Sequence, residues 1–235
     1  MKKIITVVAV IVMVAACKKD SVPTAVTGHS STDVKTDIND PGVDGYIQIG
    51  TQKWMTKNLD VNHYRNGDHI PQVRRKADWS ALKTGAWCWY NNDSATGAVY
   101  GKLYNWYAVN DPRGLAPTGW HVPSDAEWVT LATNLGDNPG GKLKDTGTIE
   151  AGTGLWYAPN TGATNETGFT GLPGGWRSAG GAFIRIGDYG FWWSSTQDQN
   201  IAHYAFYTVL FFDLGGLGRG TDRKRNGYSV RCLRD

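Results

Sequence analysis

Side chains able to do chemistry are few in this chain, and their spacing matches no catalytic set. There is no Gly-x-Ser-x-Gly elbow, and the five histidines, His29, His63, His69, His121 and His203, show neither H-E-x-x-H nor paired spacing. His63 and His69 with Asp68 have the donor types to meet at a metal, but three polar residues in a turn are ordinarily solvated, so no metal is expected there. Glycoside hydrolysis needs two facing carboxylates. After residue 45 the only glutamates are Glu127, Glu150 and Glu166, and Glu127 is committed to a helix cap. Asn91, Asn92 and Asp93 offer oxygens suited to calcium, yet the triplet is also an ordinary turn. The expectation is a protein without catalytic residues or cofactor, not an enzyme.

The cysteines speak of location rather than catalysis. Lys2 and Lys3 precede an apolar run from Ile4 to Ala16, broken only by Thr6, which is too short for a permanent span and suits a signal-peptide core. Its end, Val14-Ala15-Ala16-Cys17, resembles the lipobox of bacterial lipoproteins, small residues before a cysteine that is lipidated and becomes the new N-terminus. Residues 1–17 are therefore expected to be a lipoprotein signal with Cys17 as the lipid anchor, placing the protein in the cell envelope, outside the cytoplasm, at the outer membrane. Residues 18–45 hold three Lys, five Asp and scarcely any large apolar residue, the composition of a disordered tether. Cys88 and Cys232 remain, an even number in an oxidising compartment, so a disulfide between them is the economical inference; two buried free thiols are the alternative.

Residues 46–235 are long enough for one domain with a sizeable core. Thirty glycines, eleven tryptophans and eleven tyrosines describe a loop-rich fold whose irregular segments are packed by large rings. The net charge of +3 and the absence of a basic helix or zinc spacing argue against nucleic acid as a partner.

The clearest element is a helix from Ser124 to Leu135: Ser124 and Glu127 form a capping box, Asp125 complements the helix dipole, and Gly136 ends it. Tyr100, Leu103, Tyr104, Tyr107 and Ala108 fall at helical spacing and predict a second helix over 100–109. Tyr46 to Val61 reads as a hairpin interrupted by Gly50, and Gly85 to Asp93 as a buried strand running into a loop. Residues 136–171 read as long irregular structure. Strands are expected within 169–177, 191–196, 202–214 and 228–233, the third of these central because it is apolar on both faces. The basic stretch from Arg219 to Arg225 reads as a solvated turn. Trp176, Trp192 and Trp193 read as core rather than as a ligand platform.

Taken in order, IGTQKWMTKNL (49–59), WCWYNND (87–93), YGKLYNWYAV (100–109), GWHVPSDAEW (119–128), GFTGLPGGWR (168–177), WWSST (192–196) and YSVRCLRD (228–235) make residues 46–235 resemble the Fibrobacter succinogenes major paralogous domain, common on lipoproteins. That family is described by its sequence, so the resemblance implies a domain and not a reaction. VPSDAEW at 122–128, GGWR at 174–177 and RNGYSVRC at 225–232 are also similar in kind and order to phrases of formylglycine-generating sulfatase-modifying enzymes. This second resemblance implies an α+β, C-type-lectin-like fold with two helices early and a twisted, loop-rich, mostly antiparallel sheet late. The enzyme's activity does not carry over, because no pair of redox cysteines lies late in the chain. In lectin-like folds ligands meet the long loops near the late strands, here 178–190 and 215–226. Arg185, Asp188, Tyr189, Arg219 and Asp222 are the candidate ligand-binding residues, with Tyr189 able to stack on a sugar face. The expected function is a lipid-anchored envelope module that binds a glycan or a surface protein without catalysis; the alternative is a structural envelope lipoprotein with no specific ligand.

Overall fold

The computed structural model describes residues 45–235; the expected signal segment, the Cys17 anchor and residues 18–44 of the tether lie outside the described residues. The chain opens with strands β1 (Tyr46–Ile49) and β2 (Gln52–Met55), paired in register across a tight turn. Gly50 is required in that turn: its φ is 60°, and a Cβ there would lie 2.3 Å from Asn134. Next come α1 (Lys76–Ser80), β3 (Trp87–Cys88), a 3-10 turn at Tyr90–Asn92, α2 (Ser94–Tyr100), β4 (Leu103–Tyr104) and α3 (Trp106–Val109). They are followed by β5 (Trp120–His121), α4 (Asp125–Leu135) and α5 (Pro139–Leu143). After a long irregular stretch the chain forms β6 (Trp176–Arg177), β7 (Phe183–Ile184), β8 (Tyr189–Gln197), β9 (Tyr204–Phe211), β10 (Leu217–Arg223) and β11 (Leu233–Arg234).

The architecture mixes short helices with antiparallel sheets. One sheet, ordered β1-β2-β11-β5, unites both ends of the domain, Leu233 pairing with Trp54 and with His121. A second, β10-β9-β8, has the apolar strand at its centre, as its two-faced composition predicts, and β3-β4 and β6-β7 form two-stranded pairs. Residues 228–233 make little ladder of their own but tie the two sheets together. Ser229 exchanges backbone hydrogen bonds with Phe191 and Trp193, while the carbonyls of Val230 and Cys232 accept from Leu59 and Met55. With so little regular ladder, indole N–H groups act as cross-links: Trp106 donates to the Ser194 carbonyl at 2.8 Å, Trp193 to Tyr104 at 2.8 Å and Trp156 to Gly171 at 3.0 Å.

Several expectations are corrected. The helix over 100–109 is broken: α2 ends at Tyr100, Gly101 turns the chain at φ 76°, and Leu103–Tyr104 pair with Trp87–Cys88 before the four-residue α3. The buried Asn105 decides this, its Oδ1 capping Ala108 at 3.1 Å and also accepting from Ala86 at 3.0 Å. The helices consequently run from Lys76 to Leu143 rather than forming two early ones. Of 169–177 only Trp176–Arg177 is strand, because Pro173 and Gly175, at φ 60°, interrupt it. The supposed turn at 219–223 is strand β10. The expected disulfide is not formed: Cys88 and Cys232 are free, fully buried thiols seated in different core clusters. Burial pushes the Cys88 thiol up to about 12 and the Cys232 thiol higher still, so both behave as small apolar groups.

Helix α4 has the start its sequence predicts. Ser124 Oγ accepts from the Glu127 N–H at 3.3 Å, and Glu127 Oε2 accepts from the Ser124 N–H at 2.7 Å. Its core side is Trp128 and Leu131, whereas Val129 is exposed.

Candidate functional site

The register of the β8-β9-β10 sheet assigns each side chain to a face, because alternate residues of a strand point to opposite sides. Trp192, Thr208 and Arg219 share the face that looks towards α4, where Trp192 meets Trp128 at 6.4 Å between ring centroids. The opposite face carries Tyr189, Phe191 and Trp193 from β8, Tyr207, Val209 and Phe211 from β9, and Gly218, Gly220 and Asp222 from β10. Four of these rings, Tyr189, Phe191, Tyr207 and Phe211, are only half-buried, and Trp176 on β6 is a fifth.

The five rings are contiguous. Phe191 lies 4.8 Å from Trp176 and 5.3 Å from Tyr207, and Tyr189 lies 5.6 Å from Phe211 and 6.1 Å from Trp176. Buried Tyr228 stacks under Phe191 at 4.8 Å and 18° and is itself backed by Trp193 at 4.3 Å. The glycines of β10 make room for this layer. A Cβ on Gly218 would come within 2.5 Å of Phe211, and one on Gly220 within 2.9 Å of the Tyr207 hydroxyl, so both rings lean over bare backbone. The alternating glycines in Leu-Gly-Arg-Gly-Thr-Asp-Arg are the sequence signal for that close approach, and reading the stretch as a turn missed it. Trp192 and Trp193 are core as expected, but Trp176 belongs to the half-buried layer.

The candidate ligand-binding residues do not form one cluster. Arg185, Asp188 and Tyr189 stand together at the start of β8. Arg185, held at φ 62°, donates to Asp188 at 3.0 Å, and its guanidinium lies 5.8 Å from the Tyr189 ring. Asp222 is on the same face at the other end of the sheet. Tyr189 stands opposite Phe211 and Asp222 opposite Ala205, six positions along β9, or about 20 Å. Asp222 accepts from the Tyr228 hydroxyl at 2.8 Å, which in turn meets Asn226 Nδ2 at 3.0 Å. Burial, then the charge of Asp222, pushes both Tyr207 and Tyr228 above the usual tyrosine range. Arg219 is on the wrong face: its guanidinium forms a two-pronged pair with the Asp125 carboxylate at the start of α4. The site is thus a layer of rings with a polar rim at each end, Arg185 and Asp188 at one and Asp222 at the other.

The other polar sets have structural work. His63 and His69 are neighbours, their rings edge to face at 5.1 Å, while Asp68 accepts from Arg113 at 3.1 Å. No group of three or more metal-ligating side chains gathers among the described residues. Asn91 and Asn92 adopt left-handed conformations and Asp93 caps α2 by accepting from the Ala95 N–H at 2.9 Å. Glu127, besides its capping role, meets His121 Nε2 at 2.9 Å.

The Fibrobacter succinogenes major domain model matches residues 47–234 of the chain. No curated protein and no solved structure matches it.

Proposed function

The chain belongs to the Fibrobacter succinogenes major domain family, and we propose that it is a lipid-anchored envelope module which binds a glycan without chemical turnover. The carrying observation is the contiguous layer of half-buried Trp176, Tyr189, Phe191, Tyr207 and Phe211 on one sheet face. Rings in this state present flat apolar surface at little conformational cost, which suits the C–H faces of a pyranose, and the polar rims supply directional hydrogen bonds to hydroxyls. Arg185, Asp188 and Asp222 fill those rims; Arg219, paired across to Asp125, acts only in the scaffold. The same reading takes the fold as C-type-lectin-like, supported by the order of the PSDAEW, GGWR and NGYSVRC phrases. Cys17 anchors the module to the outer membrane through its lipid.

The deciding experiment is a glycan array probed with the purified full chain and with Tyr189→Ala and Trp176→Ala. Each substitution weakens binding about 10-fold, corresponding to about 1.4 kcal/mol of lost stacking. Binding unaltered by both changes, or no glycan bound at all, overturns the reading. In the latter case, capture of an envelope protein marks a protein ligand, and no capture leaves a structural lipoprotein. Cys17→Ser releases the protein from the membrane fraction if the anchor is as stated.

A further inference from the structure

Between the end of the second sheet and the loop after α1 lies a cavity of about 410 Å³, within the range of small-ligand sites. It draws its walls from four separate parts of the chain: Lys83, Tyr107 on α3, His203 just before β9, and Arg223, Lys224 and Arg225 at the end of β10 and beyond. No aspartate or glutamate lines it. Four residues that are cationic at neutral pH therefore line one space without a carboxylate among them.

One of the four is built in rather than solvated. Lys224 is only 8% exposed, and its ammonium lies 4.5 Å from the Trp106 ring. It donates to Gln197 Oε1 at 2.8 Å and to the Ala202 carbonyl at 2.7 Å, both neutral acceptors that leave one of its three protons over. Burial draws its pKa below the ordinary lysine value, as happens when no protein charge offsets desolvation. Arg225 is fixed from two sides: its guanidinium donates to the Ser80 carbonyl at 2.7 Å, and its own carbonyl accepts from the Trp79 indole at 2.9 Å. Lys83 and Arg223 are exposed, and Tyr107, half-buried, supplies an aromatic wall.

We propose that this cavity binds an acidic sugar, its carboxylate or sulfate oxygens held by Lys83, Arg223 and Lys224 and its ring set against Tyr107. An oxyanion matches the uncompensated charge, because guanidinium and ammonium groups bind carboxylate and sulfate through charge-assisted hydrogen bonds. A sugar matches the adjoining aromatic wall formed by Tyr107. The proposal rests on the glycan-binding reading and names the class of glycan.

Calorimetric titration of the full chain in detergent, with oligosaccharides of equal length, tests it. The probes are oligogalacturonate as the carboxylate, sulfated dextran oligosaccharide as the sulfate ester, and neutral cello- and manno-oligosaccharides. Wild type is expected to bind at least one acidic probe about 10-fold or more tighter than the neutral ones. The double variant Lys83→Gln/Arg223→Gln, whose replaced side chains are exposed, is expected to lose that preference while keeping its near-ultraviolet circular dichroism. Which acidic probe binds identifies the anion. Acidic probes binding no better than neutral ones, or a preference that survives the double substitution, overturns the proposal. If neutral probes still bind in a Tyr189-dependent way, the glycan-binding reading stands without it; if no probe binds, both fall.

Discussion

Replacing Glu127 by alanine is expected to destabilise the domain by about 2 kcal/mol near pH 5.5 but only about 1 kcal/mol near pH 8.5. The carboxylate does two separable things. Oε2 accepts from the Ser124 N–H at 2.7 Å and the Ser124 hydroxyl at 2.8 Å, closing the helix cap, and losing such a cap costs about 1 kcal/mol at any neutral pH. Oε1 meets His121 Nε2 at 2.9 Å, and His121 Nδ1 meets Asp235 at 2.7 Å. An imidazole between two carboxylates donates from both nitrogens only when protonated. Burial lowers the His121 pKa, but the hydrogen bonds to Asp235 and Glu127 outweigh it and leave the value raised. Burial likewise acts to raise Glu127, and the bonds from Ser124 and His121 outweigh it and leave that value lowered.

The signs follow from linkage. A raised histidine stabilises the fold fully below its unfolded value of about 6.5 and loses that contribution as pH rises through the folded value. A lowered glutamate stabilises above its ordinary value of 4.5 and loses its contribution as pH falls through the folded value. The pair is therefore strongest between those limits and is lost as pH rises through the raised value of His121. His121 and Glu127 are 36% and 33% exposed, so solvent screening holds the ionic part to about 0.5–1 kcal/mol. For a domain of this size, 1 kcal/mol moves Tm by about 2–4 °C. Thermal unfolding should give Glu127→Ala a deficit of about 4–8 °C near pH 5.5 and half that near pH 8.5. Glu127→Gln, which keeps an acceptor for the cap without the charge, should lose less at both pH values, its deficit being the ionic part near pH 5.5 and nearly nothing once His121 is neutral. Equal deficits for Glu127→Ala at both pH values refute the ionic role of His121, and loss of glycan binding with stability intact refutes the structural assignment of Glu127.

Asn58 Oδ1 accepts from Arg231 Nε at 3.1 Å, from Arg231 Nη2 at 2.9 Å and from Trp192 Nε1 at 2.8 Å. Asn58→Ala strands buried donors and should cost about 3 kcal/mol or more in urea unfolding; a cost under about 1 kcal/mol contradicts this bonding. Gly218→Ala should cost about 1–3 kcal/mol, because the new Cβ meets the Phe211 ring, and an unchanged denaturation midpoint would show that the ring moves freely. Cys88 and Cys232, buried with raised pKa values, should resist alkylation in the folded protein and both react in denaturant without reductant. Protection that persists in denaturant until reductant is added would restore a disulfide.

Legibility followed the range of the interactions. The α4 start could be read because Ser124 and Glu127 complete the cap within one turn, and the first hairpin because Gly50 marks it locally. The 100–109 helix misled because the spacing of Tyr100, Leu103, Tyr104 and Tyr107 fits a helix equally well. Its break comes from Asn105 bonding Ala86, nineteen residues away. Strand β10, with two glycines and four charged or polar side chains in seven residues, has turn composition. It is a strand because β9 offers a complete ladder and the Tyr207 and Phe211 rings occupy the space its glycines leave. The basic cavity was invisible for the same reason, its walls being far apart in the chain.

By itself, the sequence determined the apolar run from Ile4 to Ala16 before Cys17, the membership of the domain family and the helix cap. All of these rest on contiguous residues. Only the tertiary structure decided that Arg219 turns away from Asp222, that Trp176 joins the ring layer and that Cys88 and Cys232 sit in separate clusters. Those outcomes depend on strand register and long-range packing, where a one-residue shift moves every side chain to the opposite face.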